Sequence, residues 1–238
     1  MSQEILQERF FEALINGDRP ASRAIIQDSL KSGATPRQLL TDLLWPTYES
    51  MEKLYRSDQL TKLSHHLGTR LLRVLVDQNA SRLVPTQSKG RTIFALCGPR
   101  DSDELGAQMA VDLLEEAGFE VKFAGGNIAN DEIMSQVNEA KPDVLLMFAS
   151  GANDLPNIRA LIDQLHEIAA CPNVQIAVGG GVFNRADGLA EEIGADLWAN
   201  SPMAMVEALV AEPARRAQEQ QRTVGRKRKA PVGKREAA

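Results

Sequence analysis

Several residue types are too scarce in this chain to support certain kinds of protein. There are only two cysteines, Cys97 and Cys171, in 238 residues. That number excludes a disulfide framework and a cysteine-based metal cluster. Histidine occurs three times, as His65, His66 and His166, and aromatic residues make up 5%. No apolar run is long enough to cross a bilayer, so no membrane association is expected. The first residues, Met1-Ser2-Gln3-Glu4, lack a basic segment followed by an apolar one, which points to a cytoplasmic protein. No Gly-x-Gly-x-x-Gly follows a strand, which argues against a nicotinamide cofactor.

Apolar residues make up 43% of the chain, enough for a sizeable core. The net charge of -5 conceals an asymmetry. From Pro213 to Ala238 nine Lys and Arg face two Glu, a net of +7, which leaves -12 on the rest. The segment lacks apolar periodicity and reads as a disordered basic tail. Weak, sequence-blind nucleic acid binding through phosphates is one expectation for this tail; docking on an acidic surface and a merely solubilising extension are the others.

Residues 1–84 read as helices with short links. Ile5, Phe10, Phe11, Leu14 and Ile15 recur at helical spacing, with Gly17 to Pro20 ending that helix. Further helices are expected over Ala21–Lys31, from Pro36, from Pro46 to Arg56, and from Leu60 to Leu83, so a helical bundle is predicted. Residues 85–90 are a polar link. From Arg91 the pattern alternates strand and helix through residue 212. Strands are expected at Thr92–Cys97, Glu120–Ala124, Asp143–Ala149, Gln175–Val178 and Ala195–Ala199. The fold class is α/β: a helical bundle, then a five-stranded doubly wound parallel sheet of flavodoxin-like strand order. Ligands of such sheets lie beyond the carboxyl ends of the strands. That directs attention to the loop after the first strand, Cys97 to Gly106, where Ser102 or Asp103 could cap the next helix. It also directs attention to Phe148-Ala149-Ser150 and to Gly179-Gly180-Gly181. Three successive glycines let a flat ligand approach the backbone. Asp101, Asp103 and Asp154 are carboxylates at strand ends and could equally cap helices. Cys97 could bind a metal or attach a chromophore, or simply be a small buried residue.

This arrangement, over about Leu44 to Ala211, resembles the cobalamin-binding module of corrinoid methyl carriers and of cobalamin-dependent light sensors of the MerR-type repressor group. In that family Asp-x-His-x-x-Gly follows the first strand, a Ser-x-Leu the third and a Gly-Gly the fourth. Here the first motif reads Asp101-Ser102-Asp103-Glu104-Leu105-Gly106, so Asp103 stands where the metal-binding histidine would be. The second falls at Phe148-Ala149-Ser150, with Phe148 in the slot that takes the nucleotide tail, and the third is intact as Gly179-Gly180-Gly181. Light-sensing members carry a tryptophan followed by Glu-His; the corresponding positions are Tyr55, His65 and His66. The resemblance implies His66 as a metal ligand if it faces the sheet, with Trp45 out of register.

A carboxylate is a hard ligand and a poor replacement for imidazole on cobalt or iron. The expected ligand is therefore a tetrapyrrole: cobalamin by the resemblance, with haem or a biliverdin-type bilin as rivals. The expected role is a non-enzymatic sensor that signals to a protein partner, with a homo-oligomer also conceivable. The alternatives are a corrinoid methyl carrier for a methyltransferase and a cofactor-free interaction module.

Overall fold

The computed structural model describes residues 3–168 and 171–217. Eleven α-helices and five strands occur among these residues. Most of the basic tail lies outside the described residues.

The N-terminal helices are α1 (Gln3–Ile15), α2 (Arg19–Lys31), α3 (Pro36–Leu39), α4 (Trp45–Arg56) and α5 (Lys62–Ala80). Pro20, expected to end the first helix, instead opens α2 from its first turn. A missing N–H costs nothing there, and the Asp18 side chain caps the helix by accepting from the Ala21 N–H. Helices α3 and α4 are joined without a break by one π-helical stretch, Leu40–Leu44. Pro46 explains it: proline has no N–H to give the Asp42 carbonyl, and its ring crowds that oxygen. The backbone widens, and the Gln3 side-chain amide donates to the Asp42 carbonyl at 2.6 Å.

The second half contains β1 (Thr92–Leu96), α6 (Asp101–Glu116), β2 (Glu120–Gly125), α7 (Asn130–Ala140), β3 (Val144–Phe148), α8 (Leu155–Ile168), β4 (Gln175–Gly179), α9 (Gly181–Arg185), α10 (Leu189–Glu192), β5 (Leu197–Ala199) and α11 (Pro202–Ala211). The strands are all parallel in the order β2-β1-β3-β4-β5. This is the doubly wound α/β architecture expected. Two boundaries differ from expectation. Helix α6 begins at Asp101, two or three residues earlier than a cap at Ser102 or Asp103 would place it, with Arg100 at its N-cap, so neither Ser102 nor Asp103 is the cap. The pattern predicts one helix over Ala186–Ile193; the structure shortens it to α10, with Gly188 at φ +78° before its first turn, and adds the separate short helix α9 ahead of it.

Period-two alternation sorts the strand residues onto two faces. Ile93, Ala95, Val144, Leu146 and Ala177 join one apolar cluster with α6, α11 and the N-terminal helices. Phe94, Leu96, Leu145, Met147, Ile176 and Val178 join another with α7 and α8. The helical cap therefore shares a core with one sheet face. Arg37 pairs with Glu116 and Arg73 with Glu104 across the seam. Both arginines are partly exposed, so each pair contributes at most about 1 kcal/mol, and the shared apolar core does most of the docking.

Candidate ligand pocket between cap and strand ends

Helix α4 lies over the carboxyl ends of the sheet and encloses a cavity of about 440 Å³. Its ceiling is one stripe of α4: Trp45, Tyr48, Glu49, Glu52, Lys53 and Arg56. These residues recur at intervals of three and four, so they share a helix face. Its floor comes from Asp103, Gly106 and Ala107 on α6, from Phe148 and Ser150 at the end of β3, and from Gly180, Gly181, Asn184 and Arg185 after β4. Residues from Ala199 to Met205 close the far wall.

The place of the family's metal ligand holds a closed ion pair. Arg100 Nη2 donates to Asp103 Oδ1 at 2.7 Å, and Arg100 Nε to Oδ2 at 3.0 Å. The Arg100 backbone N–H adds a longer bond to Oδ2, at 3.3 Å. The Asp103 side chain is only 1% exposed. A buried carboxylate with both oxygens committed to a guanidinium is not available to a metal. Above it, the Tyr48 hydroxyl donates to the Ser102 carbonyl at 2.9 Å. Burial first, and then the charges of Glu52 and Asp103, push the Tyr48 phenol well above its ordinary pKa, so it remains a neutral donor. A Cβ at position 106 would lie 2.7 Å from the Tyr48 oxygen. The glycine of the first motif thus receives the cap's own phenol.

The glycine turn is tightly constrained. Gly180 has φ +103°, and a Cβ there would lie 2.3 Å from the Ala149 carbonyl oxygen. Gly180→Ala combines left-handed strain with a backbone overlap, and should cost about 3 kcal/mol or more. Urea denaturation of wild type and variant measures this; a loss within ordinary surface-mutation scatter would refute it.

The histidines lie elsewhere. His65, not His66, faces inward: its Nε2 is 2.6 Å from Glu52 Oε1, and its ring stacks on Tyr55 at 4.0 Å. His66 is exposed and lies outside the cavity wall, so the expectation that it faces the sheet as a metal ligand is corrected. Consecutive helix residues point about 100° apart, and the packing of α5 on α4 takes the His65 face. Tyr55 supports His65 rather than lining the cavity. Trp45, out of register with the family's tryptophan, does line it. Asp101 is exposed at the start of α6, and Gly179 is buried at the end of β4 against the Phe148 ring. Cys97 lines a second, smaller cavity of about 170 Å³ together with Gly98, Gly126, Asp154 and the other side of Phe148. Burial, followed by Glu104 and Asp103, pushes its thiol up to about 12. Cys97 is therefore a protonated thiol at neutral pH, and it lies outside the cavity under α4. Cys171 and His166 lie outside both cavities.

The α4 stripe, Arg185 and Asn200 were missed from the sequence. The stripe was available in the three- and four-residue spacing from Trp45 to Arg56. Arg185 ends the five-residue helix α9, too short to show a period, and Asn200 lies in the irregular link after β5.

Two family models, each described as B12 binding domain, match residues 91–207 and 6–78. The chain belongs to the B12-binding family. Trimethylamine corrinoid protein 2 of Methanosarcina acetivorans is 28% identical over 130 residues, 55% of this chain and 58% of that protein. This chain thus spans a little over half of that relative's length. The trimethylamine corrinoid protein of Methanosarcina barkeri is 24% identical over 205 residues, 83% of this chain and 93% of that one. The structure of the Methanosarcina barkeri monomethylamine corrinoid protein superposes with a TM-score of 0.78 at 15% identity, covering 88% of this chain and 99% of that one. This last likeness is one of fold. Among the described residues no helix of this B12-binding family member is long and apolar enough to cross a membrane. Its described residues also contain no group of three or more His, Cys, Asp and Glu that could hold a metal ion.

Proposed function

We propose that the chain is a corrinoid-binding carrier protein that works with a methyltransferase. The observation that carries this reading is the cavity between the α4 stripe and the strand ends, set where the family's cobalamin module binds its ligand. The relatives named above are corrinoid proteins of methylamine systems, which supports the carrier reading over the sensor expected from the Tyr55–His66 register.

The residues fit a flat macrocycle in part. Gly180 and Gly181 present bare backbone on one side, while Trp45, Phe148 and Met205 offer apolar surface. They do not fit a protein-ligated metal, because Asp103 is committed to Arg100 and the inward histidine is committed to Glu52. A corrinoid bound here would supply the cobalt centre that accepts and releases a methyl group. The protein itself would contribute enclosure: Tyr48 holds α4 down on α6, and the Arg100–Asp103 pair keeps the position beneath Tyr48 closed. The protein would present the group to its partner and not act as the catalyst.

Incubation of the full chain with hydroxocobalamin, followed by gel filtration, tests the reading. Near-stoichiometric pigment eluting with the protein is expected. A colourless protein peak at micromolar concentrations of both would contradict it.

A further inference from the structure

The charges around the cavity are unevenly satisfied. Three carboxylates reach its wall, Glu49, Glu52 and Asp103. Asp103 is taken by Arg100. Glu52 is shared between His65 at 2.6 Å and Arg56 at 3.8 Å. Burial shifts the Glu49 carboxyl upward, towards its neutral form. The cations on the wall are Lys53 and Arg56 from the cap and Arg185 from the sheet side. Among the described residues neither Lys53 nor Arg185 has a carboxylate within ion-pairing distance. Arg185 is instead positioned by a neutral group: its Nη2 donates to the Ser150 carbonyl at 2.6 Å. Its Nη1 lies 2.6 Å from where a Cβ on Gly181 would be, directly over the glycine turn. Burial and the nearby charges of Arg56 and Arg100 lower the Arg185 pKa, as expected of cations gathered without enough counter-charge. A guanidinium offers a planar set of donors suited to a carboxylate or phosphate, and it keeps its charge at neutral pH.

Resting on the corrinoid reading, we infer that this pocket recognises its ligand by an oxyanion, held by Arg185 from the sheet side and by Arg56 and Lys53 from the cap. The oxyanion has two sources in corrinoids: the phosphodiester of the nucleotide arm, or a free carboxylate on the ring periphery. The apolar wall holds the macrocycle whatever its substituents, whereas the cations discriminate among them. Binding then also fastens the cap to the sheet, because the anion is gripped from both.

Three probes separate the possibilities. Hydroxocobalamin carries the phosphodiester, cobyric acid carries a carboxylate without the nucleotide, and cobinamide carries neither. Affinities are read from visible titrations of the full chain, wild type and Arg185→Gln, with Arg56→Gln as the variant on the opposite wall. Thermal melting of each variant checks that it folds. At least one oxyanion-bearing probe should bind wild type about ten-fold or more tightly than cobinamide, and the probe with the advantage names the source. Each substitution should bring that ratio down towards one, and added salt should do the same. Equal affinity of wild type for all three probes would overturn the inference while leaving the corrinoid reading intact. So would equal weakening of all three by Arg185→Gln. Failure of all three to bind would overturn the corrinoid reading itself, and the inference with it.

Discussion

Asp103→His combined with Phe148→Ser should bind hydroxocobalamin about ten-fold or more tightly than wild type, a gain of about 1.4 kcal/mol or more. Each substitution removes a different obstruction. Asp103 closes the metal-facing position by holding Arg100 through two bonds, and histidine there would restore a nitrogen donor. Arg100 has a side chain 48% exposed, so it can turn to solvent when its partner is lost. Phe148 is the wall between the two cavities, lining both the 440 Å³ space under the cap and the 170 Å³ space beside Cys97. Serine would join them and open a slot running past the end of β1. The single variants should gain less, because an imidazole without the slot still leaves no room for the nucleotide arm. Titration of all four proteins decides the matter. A double variant no tighter than wild type would show that these two positions do not set the binding mode.

The largest effect expected on stability comes from Asp112. This residue on α6 is 5% exposed, accepts from the Gln108 side chain at 2.6 Å, and leaves Oδ2 buried without a partner. Burial, reinforced by Glu115 and Asp77, pushes its pKa up to about 7. An unfolded aspartate titrates near 4, roughly three units lower. Between these values the folded protein holds a proton that the unfolded chain has released. Stability therefore falls as pH rises from about 4 to about 7, by up to about 4 kcal/mol in all. The direction is opposite to that of a salt-bridged aspartate, which loses stability on acidification. Asp112→Asn keeps the bond from Gln108 and removes the charge. It should match wild type near pH 4 and exceed it by a few kcal/mol at pH 8. Urea denaturation of both proteins across this range is the measurement; parallel curves with no divergence above neutrality would contradict it.

The sheet was the most legible part of the chain. Unbroken runs such as Ile93 to Cys97 and Val144 to Phe148 announce strands covered on both faces. Alternation within them separates Ile93 and Ala95 from Phe94 and Leu96. The glycine turn after β4 was legible because three successive glycines exceed what a turn needs. The cap side of the site was harder to read. His65 and His66 are neighbours, and nothing in a sequence says which of two adjacent helix residues faces the partner helix. The buried Glu52 and the Tyr55 ring decide it, and both are tertiary contacts. The Arg100–Asp103 pair hid behind an expected cap at Ser102 or Asp103, because the helix starts two or three residues before that reading. Gly106 matched the family motif, yet the atom that fills its space belongs to Tyr48, 58 residues earlier in the chain.

The central claim is that the cavity takes a corrinoid without giving its metal a protein ligand. Electron paramagnetic resonance of cob(II)alamin bound to the full chain tests it most directly, with the protein unlabelled and then uniformly ¹⁵N-labelled. A nitrogen on the metal splits each cobalt line into three if it is ¹⁴N and into two if it is ¹⁵N. With no protein nitrogen on the cobalt, the two samples should give the same splitting pattern. A change from triplets to doublets on labelling the protein would show that one of its nitrogens is the axial ligand, and would contradict the claim.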